Sequence, residues 1–351
     1  MSLRDLMAQR RAKIEEWRAL GCEPYAYRFD VTHHAAELTA RGDAVTEEPG
    51  ERVRVAGRLV ARRGHGKAGF GHLLDGSGRI QAYFRSDVLG DAYARWELLE
   101  VGDWVGVAGA LFRTRTGEIT VRADQVELLA KSIRPLPEKW HGLTDPETRF
   151  RQRYADLFVN LGVREVFRRR AAIVSRLRSF LDRSGYLEVE TPVLQPLYGG
   201  AFARPFVTKH NALDMELYLR ISNELYLKRL IVGGLDRVFE FSRDFRNEGM
   251  DRSHNPEFTI LEYYQAFADV HDMMSLTEAL IAETVRAVTG GPVVTFGEQT
   301  LDFTPPWPRL SMLDAVSGKV GEPVHDLDEG KLAPRVTAEG CRCDSAGTET
   351  G

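Results

Sequence analysis

The residues best suited to chemistry in this sequence lie between Arg237 and Asp269. Val238, Phe239 and Phe241 predict a buried strand, and Glu257 to Tyr264 predict a second one. The polar stretch Arg246-Asn-Glu-Gly-Met-Asp-Arg-Ser-His-Asn-Pro256 then becomes the loop of a hairpin, and long ordered loops tend to be functional. Side chains alternate along a strand, so Phe258, Ile260, Glu262 and Tyr264 share one face. A carboxylate and a phenol beside an aromatic ring fit a core poorly. They suit a pocket that holds a flat base and a cation.

The elements that must carry this segment follow from periodicity. Residues 3–20 predict a helix with Leu3, Leu6, Ile14, Trp17 and Leu20 on one side, ended by Gly21 and Pro24. A short helix is expected over His33 to Arg41, then a polar connector over 42–50. From Arg52 to Leu129 the period becomes two, as in Val53 and Val55 between Arg52, Arg54 and Arg58. Five short strands, with one helical piece (Asp87 to Leu99) between the third and fourth, have the layout of an OB-fold barrel; composition alone leaves other small barrels open. Residues 130–157 read as a linker with one short helix. Phe167, Ala171, Val174, Leu177 and Leu181 then fall at helical spacing between Arg164 and Arg183, and a strand over Tyr186 to Val189 stops at Thr191-Pro192. Onward to about residue 305, strands and helices mix without a βαβ rhythm, which predicts an α+β domain with an antiparallel sheet. The segment from about Thr337 is small, polar and unpatterned and is expected to be disordered. The expected divisions are 1–50, a helical extension; 51–130, the barrel; 131–157, a linker; 158–335, a partial catalytic domain; and 336–351, a tail.

At 351 residues the chain exceeds one ordinary domain, and 43% hydrophobic with 28% charged residues fits a globular protein with a full core. No stretch approaches the ~20 apolar residues of a membrane span. Met1 to Leu20 is charged throughout, unlike a signal or transit peptide, so a cytoplasmic location is expected. The net charge of -4 announces no nucleic-acid partner, but residues 51–70 carry six basic side chains (Arg52, Arg54, Arg58, Arg62, Arg63, Lys67) against Glu51 alone. Such a stripe can bind phosphates; a solvated strand face is the competing reading. Cys22, Cys341 and Cys343 are odd in number and lack zinc-ligand spacing, which predicts neither disulfides nor a metal site.

Phe245-Arg-Asn-Glu-Gly249, followed by His254-Asn-Pro-Glu-Phe-Thr259 and Glu262, resembles motif 2 of the class II aminoacyl-tRNA synthetases, and Arg168 to Pro192 resembles their motif 1. Gly199-Gly-Ala-Phe-Ala-Arg-Pro-Phe206, His210-Asn-Ala-Leu-Asp214, Leu217-Tyr-Leu-Arg-Ile221 and Glu224-Leu-Tyr-Leu-Lys-Arg229 resemble the lysyl-tRNA synthetases in particular. So do Tyr25 to His33, Arg134 to Leu143 and Arg149 to Leu157, and the resemblance runs from about residue 10 to about 335. It implies ATP-dependent activation of L-lysine to lysyl-adenylate and transfer to the 3′ end of lysine tRNA. An OB-fold anticodon-binding domain would precede an incomplete class II catalytic domain. Mg2+ is expected in the intact enzyme, with its ligands beyond this chain, and motif 1 implies a homodimer.

The roles implied by the resemblance have physical reasons. Lysine carboxylate and ATP are both anionic, so a cation must bridge them. Arg246 can fork onto carboxylate and phosphate together and stabilise charge developing at the α-phosphate. Glu248 is expected near the adenine amino group, His254 near the phosphates, and Phe258 stacked on adenine. Glu224 is the candidate for the α-amino group of lysine, with backbone at Gly200, and Glu262 and Tyr264 are candidates for its side-chain amine. In the barrel, Arg63, Phe70, Gln81 and Glu118 match the family's anticodon-reading positions, where stacking on an aromatic side chain contributes about 1–3 kcal/mol per base. The structural alternatives are an Arg246–Glu248 surface pair, core packing for Phe258 and Phe70, and ordinary salt bridges for Glu224 and Glu262.

The sequence stops before motif 3, with its second ATP-binding arginine and the downstream Mg2+-binding carboxylates. The expectation is therefore that these 351 residues alone do not adenylate lysine; lysine-dependent exchange of labelled pyrophosphate into ATP would refute it. Three rivals stay open. The aspartyl/asparaginyl branch shares the barrel and motif 2, but an acidic substrate calls for bases where Glu224 and Glu262 stand. A tRNA- or RNA-binding fragment without catalysis needs only the barrel. A paralogue that attaches lysine to a protein would lack residues 50–130.

Overall fold

The computed structural model describes residues 2–64, 66–136 and 143–324. The chain forms two compact units, Met1–Arg164 and Glu165–Gly351. The expected tail at 336–351, Cys341, Cys343 and most of the Arg134 to Leu143 segment lie outside the described residues.

In the first unit, α1 (Leu3–Ala19) opens on a Ser2 cap whose hydroxyl accepts from the Asp5 amide, and of its expected apolar side only Trp17 is buried. The helix α2 (Ala35–Thr39) is shorter than the sequence suggested. Then come β1 (Arg52–Arg63), β2 (Ala68–Leu74), β3 (Arg79–Arg85), α3 (Ser86–Leu89), α4 (Tyr93–Leu98), β4 (Trp104–Arg113) and β5 (Ile119–Ala130). The strands close into a barrel in the order β1-β2-β3-β5-β4, with β3 and β5 parallel and β4 returning antiparallel to β1. This is an OB-fold. Val53, Val55, Leu59, Leu73, Phe84, Val105, Val107 and Val121 fill the interior, and Trp96 of α4 stacks on Phe84 at 4.1 Å. Gly69 is required there: a Cβ would stand 2.5 Å from the Trp96 indole nitrogen. Two short helices, α5 (Pro146–Arg151) and α6 (Arg153–Val159), follow the barrel.

The helix α7 (Leu161–Arg183) leads into the second unit. Its apolar spacing overstates its burial: Leu181 is buried, Val174 and Leu177 are half-buried, and Phe167 and Ala171 are exposed. The cause is that its packing partners Tyr186, Phe239 and Leu280 meet only its last turns. The remaining elements are β6 (Leu187–Glu188), β7 (Leu194–Gln195), β8 (Val207–His210), β9 (Met215–Leu219), α8 (Glu224–Val232), β10 (Arg237–Phe245), β11 (Glu257–Gln265), α9 (Val270–Thr289), β12 (Val293–Phe296), β13 (Gln299–Asp302) and α10 (Met312–Val320). They build three small sheets, ordered β11-β10-β6, β7-β9-β8 and β12-β13.

The pair β10 and β11 decides the site. It is antiparallel from Arg237↔Gln265 to Phe245↔Glu257, with Glu240↔Glu262 and Asp244↔Phe258 opposite each other. Directly opposite residues share a face. One face, with Phe239, Phe241, Leu261 and Tyr263, packs on Leu181, Tyr186 and Leu280. The other presents Glu240, Ser242, Asp244, Phe258, Ile260, Glu262 and Tyr264.

Candidate functional site

On that second face the hydroxyls of Ser222 and Tyr264 both donate to Glu262, to Oε1 at 3.0 Å and Oε2 at 2.9 Å. Ser222 Oγ also accepts the backbone N–H of Glu224 at 3.1 Å, so one hydroxyl ties the start of α8 to the carboxylate on β11. Gly200 closes this corner with φ +87°; a Cβ there would lie 2.9 Å from both Glu224 Cβ and Ser222 Oγ. Burial, the hydrogen bond to Glu262 and the charges of Glu262 and Glu224 all hold the Tyr264 phenol far above its usual pKa, so it stays a donor. Glu262 is half-buried and pairs with no cation among the described residues. Glu224 does form the ordinary salt bridge considered above, at 2.6 Å to Lys228, one helical turn away and exposed.

Arg246 follows β10 directly and is fixed by its N–H to Pro256 O at 2.8 Å. Its guanidinium lies over the Phe258 ring, 5.0 Å from the centroid. Its Nε is buried with no hydrogen-bond partner among the described residues, and no ion pair to Glu248 forms. Phe258 is half-buried, not a core residue. Glu262 is four positions beyond Phe258, roughly 13 Å along a strand. The face thus carries a cation without an anion at one end and an anion without a cation at the other.

Glu248 and His254 sit on the exposed loop. Asp251 organises that loop: it accepts the amides of Ser253 and His254, each at 2.7 Å, and the His254 Nδ1–H at 2.7 Å. The backbone bond to Ser253 and the two bonds to His254 hold its carboxyl well below the usual range.

The β10 side of the face holds a buried ionic network that periodicity did not reveal. Arg220 Nη1 meets Glu240 Oε1 at 2.7 Å, and its Nε meets Asp244 Oδ1 at 3.2 Å. Thr191 Oγ1 and Asn223 Nδ2 donate to Glu240 Oε2 at 2.7 and 3.0 Å. The network fixes Asn223, hence the direction in which α8 leaves and where Ser222 and Glu224 point. Ser222, Asn223, Arg220 and Glu240 were missed because they look like ordinary strand and cap residues. Their only signal is the chemically mixed run Leu219-Arg-Ile-Ser-Asn-Glu224.

In the barrel, Arg63, Phe70, Gln81 and Glu118 come together around a cavity of about 470 Å3, lined also by His72 and Thr114 to Thr116. The register puts Arg63 opposite Phe70, Phe70 opposite Tyr83, and His72 opposite Gln81, which neighbours Thr120. Phe70 and Tyr83 stack at 4.4 Å on the outer face, so Phe70 is a surface platform and not core.

A family model described as tRNA synthetases class II (D, K and N) matches residues 145–339, and one described as OB-fold nucleic acid binding domain matches residues 53–129. Among curated relatives, the lysine–tRNA ligase of Carboxydothermus hydrogenoformans is 52% identical over 91% of this chain and 65% of its own length. That of Moorella thermoacetica is 52% identical over 94% of this chain and 67% of its own, and that of Roseiflexus castenholzii 51% identical over 98% and 71%. The chain therefore spans about two thirds of the length of these relatives.

Proposed function

The chain belongs to the lysine–tRNA ligase family of the class II aminoacyl-tRNA synthetases, and from this premise we propose that its second unit binds ATP and L-lysine for adenylate formation while its barrel reads the anticodon of lysine tRNA. The observation that carries the reading is a pair of charges on one sheet face that find no counter-ion among the described residues, Arg246 at one end and Glu262 at the other. A half-buried charge without a counter-ion is costly unless a ligand supplies one. Lysine and ATP supply both.

In this reading the lysine ε-ammonium meets Glu262 and Tyr264, and the α-ammonium meets Glu224 beside Gly200. The carboxylate lies at Arg246, which also takes the α-phosphate; as a carboxylate oxygen bonds to the α-phosphorus the α–β phosphoanhydride bond breaks and pyrophosphate leaves, and the charge developing at the α-phosphate is stabilised by the same guanidinium. Adenine lies at Phe258, its amino group at Glu248, and the phosphates at His254. An aspartate or asparagine substrate would place its side chain against two carboxylates, which disfavours that branch. Family membership implies Mg2+. Among the described residues no group of three or more His, Cys, Asp and Glu side chains could hold a metal ion, so no step is assigned to one. Aminoacyl transfer to the tRNA 3′ end and a homodimer through the exposed Val166, Phe167 and Ile173 face of α7, both in the intact enzyme, and a cytoplasmic location complete the proposal. No helix among the described residues is long and apolar enough to cross a membrane.

The test compares L-lysine with L-norleucine, which keeps the four-carbon side chain and lacks the side-chain ammonium, by calorimetric titration of the chain. Lysine is expected to bind and norleucine not, and Glu262→Gln is expected to remove the preference. Equal binding of both by the unaltered chain would overturn the assignment.

A further inference from the structure

The barrel cavity contains a side chain that none of the roles above uses. His72 lies on the outer face of β2, only 11% exposed at its side chain, and its Nε2 stands 2.9 Å from Glu118 Oε1. The other carboxylate oxygen, Oε2, accepts Gln81 Nε2 at 2.7 Å, and the Gln81 carbonyl accepts the buried Thr120 hydroxyl at 2.8 Å. An ionised carboxylate only accepts, so His72 must carry its proton on Nε2. The 3.5 Å approach between His72 Nε2 and Gln81 Nε2 is then two donors converging on one carboxylate. Thr120 fixes which end of the Gln81 amide faces Glu118, and His72 with Gln81 fixes the plane of Glu118.

We infer that His72 is a positioning residue for base recognition: by donating to Glu118 it locks this carboxylate as an oriented acceptor at the mouth of the Arg63–Phe70 cavity. The inference rests on the proposal that the barrel reads anticodon bases. Glu118 follows the Gly117 turn, and its side chain is 42% exposed. Held at one oxygen only, it can swing toward Arg63 or Arg115, which line the same cavity. The ligand chemistry is that of a nucleobase presenting a ring N–H beside a carbonyl. The N–H would go to the free lone pair of Glu118 and the carbonyl to the remaining amide hydrogen of Gln81. Stacking on Phe70 is indifferent to base identity, whereas an oriented acceptor is not. Loss of the lock therefore lowers discrimination between bases more than it lowers overall affinity.

The experiment measures binding of the full chain to a lysine-tRNA anticodon stem-loop and to single-base variants across its anticodon. Four proteins are compared: unaltered, Phe70→Ala, His72→Leu and His72→Gln. Glutamine places an N–H at the reach of Nε2; leucine fills the space without a donor. His72→Leu is expected to weaken the cognate stem-loop about tenfold, as for loss of one charge-assisted hydrogen bond, and to leave the weakest variant stem-loop nearly unchanged. His72→Gln is expected to restore most of the discrimination. Equal loss for every stem-loop, no loss, or failure of His72→Gln to rescue would each overturn the lock. If Phe70→Ala also binds every stem-loop as the unaltered chain does, base reading by the barrel falls; if Phe70→Ala weakens binding and His72→Leu does not, only the lock falls.

Discussion

Arg220→Met tests the ionic network that positions the second unit's pocket. Arg220 is 4% exposed and reaches Glu240 and Asp244, which are 3% and 0% exposed, as well as the carbonyls of Arg243 and Thr191 at 3.0 Å. Methionine keeps much of the volume and removes every donor. Two buried carboxylates are then left without their cation, a situation that costs about 3–5 kcal/mol. The lower end applies here, because Glu240 keeps its Thr191 and Asn223 donors, and burial already favours the neutral form of Asp244. A loss of ~3 kcal/mol corresponds to roughly hundredfold faster amide exchange in β10 and β11. Hydrogen-exchange mass spectrometry reads those strands separately from the barrel. The sign with pH follows from the orphaned carboxylates: protonation relieves them, so the deficit should be smaller at pH 5 than at pH 8. An increase below ~5-fold, or one equal at both pH values, would refute the idea that this guanidinium compensates two buried charges.

Asp244→Asn examines the same network from the other side. Burial pushes the Asp244 carboxyl up, the charges of Glu262 and Glu240 push it further, and Ser242 and Arg220 oppose them. A carboxyl raised on folding stabilises below its unfolded pKa of about 3.9 and loses that contribution as pH rises through the folded value. The asparagine variant should therefore gain on the unaltered protein as pH climbs from 4 in urea unfolding, and a variant that loses ground over that range contradicts the assignment. Gly200→Ala should destabilise by about 1–3 kcal/mol, because it adds left-handed strain at φ +87° to a Cβ contact of 2.9 Å, whereas Gly249→Ala, where a Cβ meets nothing within 4 Å, should stay within about 0.5 kcal/mol in the same denaturation measurement.

The pocket face of β11 was legible in the sequence because period-two alternation assigns Phe258, Ile260, Glu262 and Tyr264 to one side with no knowledge of partners. What lies across from them was not. The pairing of Glu240 with Glu262 is set by where the hairpin loop closes, and one residue of slip would have brought Phe239 or Phe241 opposite instead. Ser222 and Gly200 arrive from the segments around β7 to β9, a separate sheet, so periodicity announced neither; Gly200 was legible through the family resemblance and Ser222 was not. The limit for α7 is different. Its apolar stripe was real, but a stripe shows only that a face can be buried, and the partners found here meet its last turns. In the barrel, strand alternation forecast five strands, while the parallel β3–β5 contact that brings Thr120 beside Gln81 is a closure property.

The two kinds of charge in the second unit separate structure from function more sharply than residue type does. Arg220, Glu240 and Asp244 are buried and pair with one another, so their charges are balanced within the chain although Asp244 Oδ2 finds no hydrogen-bond partner among the described residues. Arg246 and Glu262 have comparable chemistry on the same sheet face, yet Arg246 lies over a ring with its buried Nε finding no acceptor among the described residues, and Glu262 meets two hydroxyls. Pairing them with each other is prevented by the strand itself: Arg246 stands at the Pro256 register, six residues and roughly 20 Å along the strand from Glu262. A fold that needed only stability would gain by neutralising either one. The arrangement makes physical sense if the missing partners arrive together on molecules that carry an ammonium at one end and a carboxylate meeting a phosphate at the other.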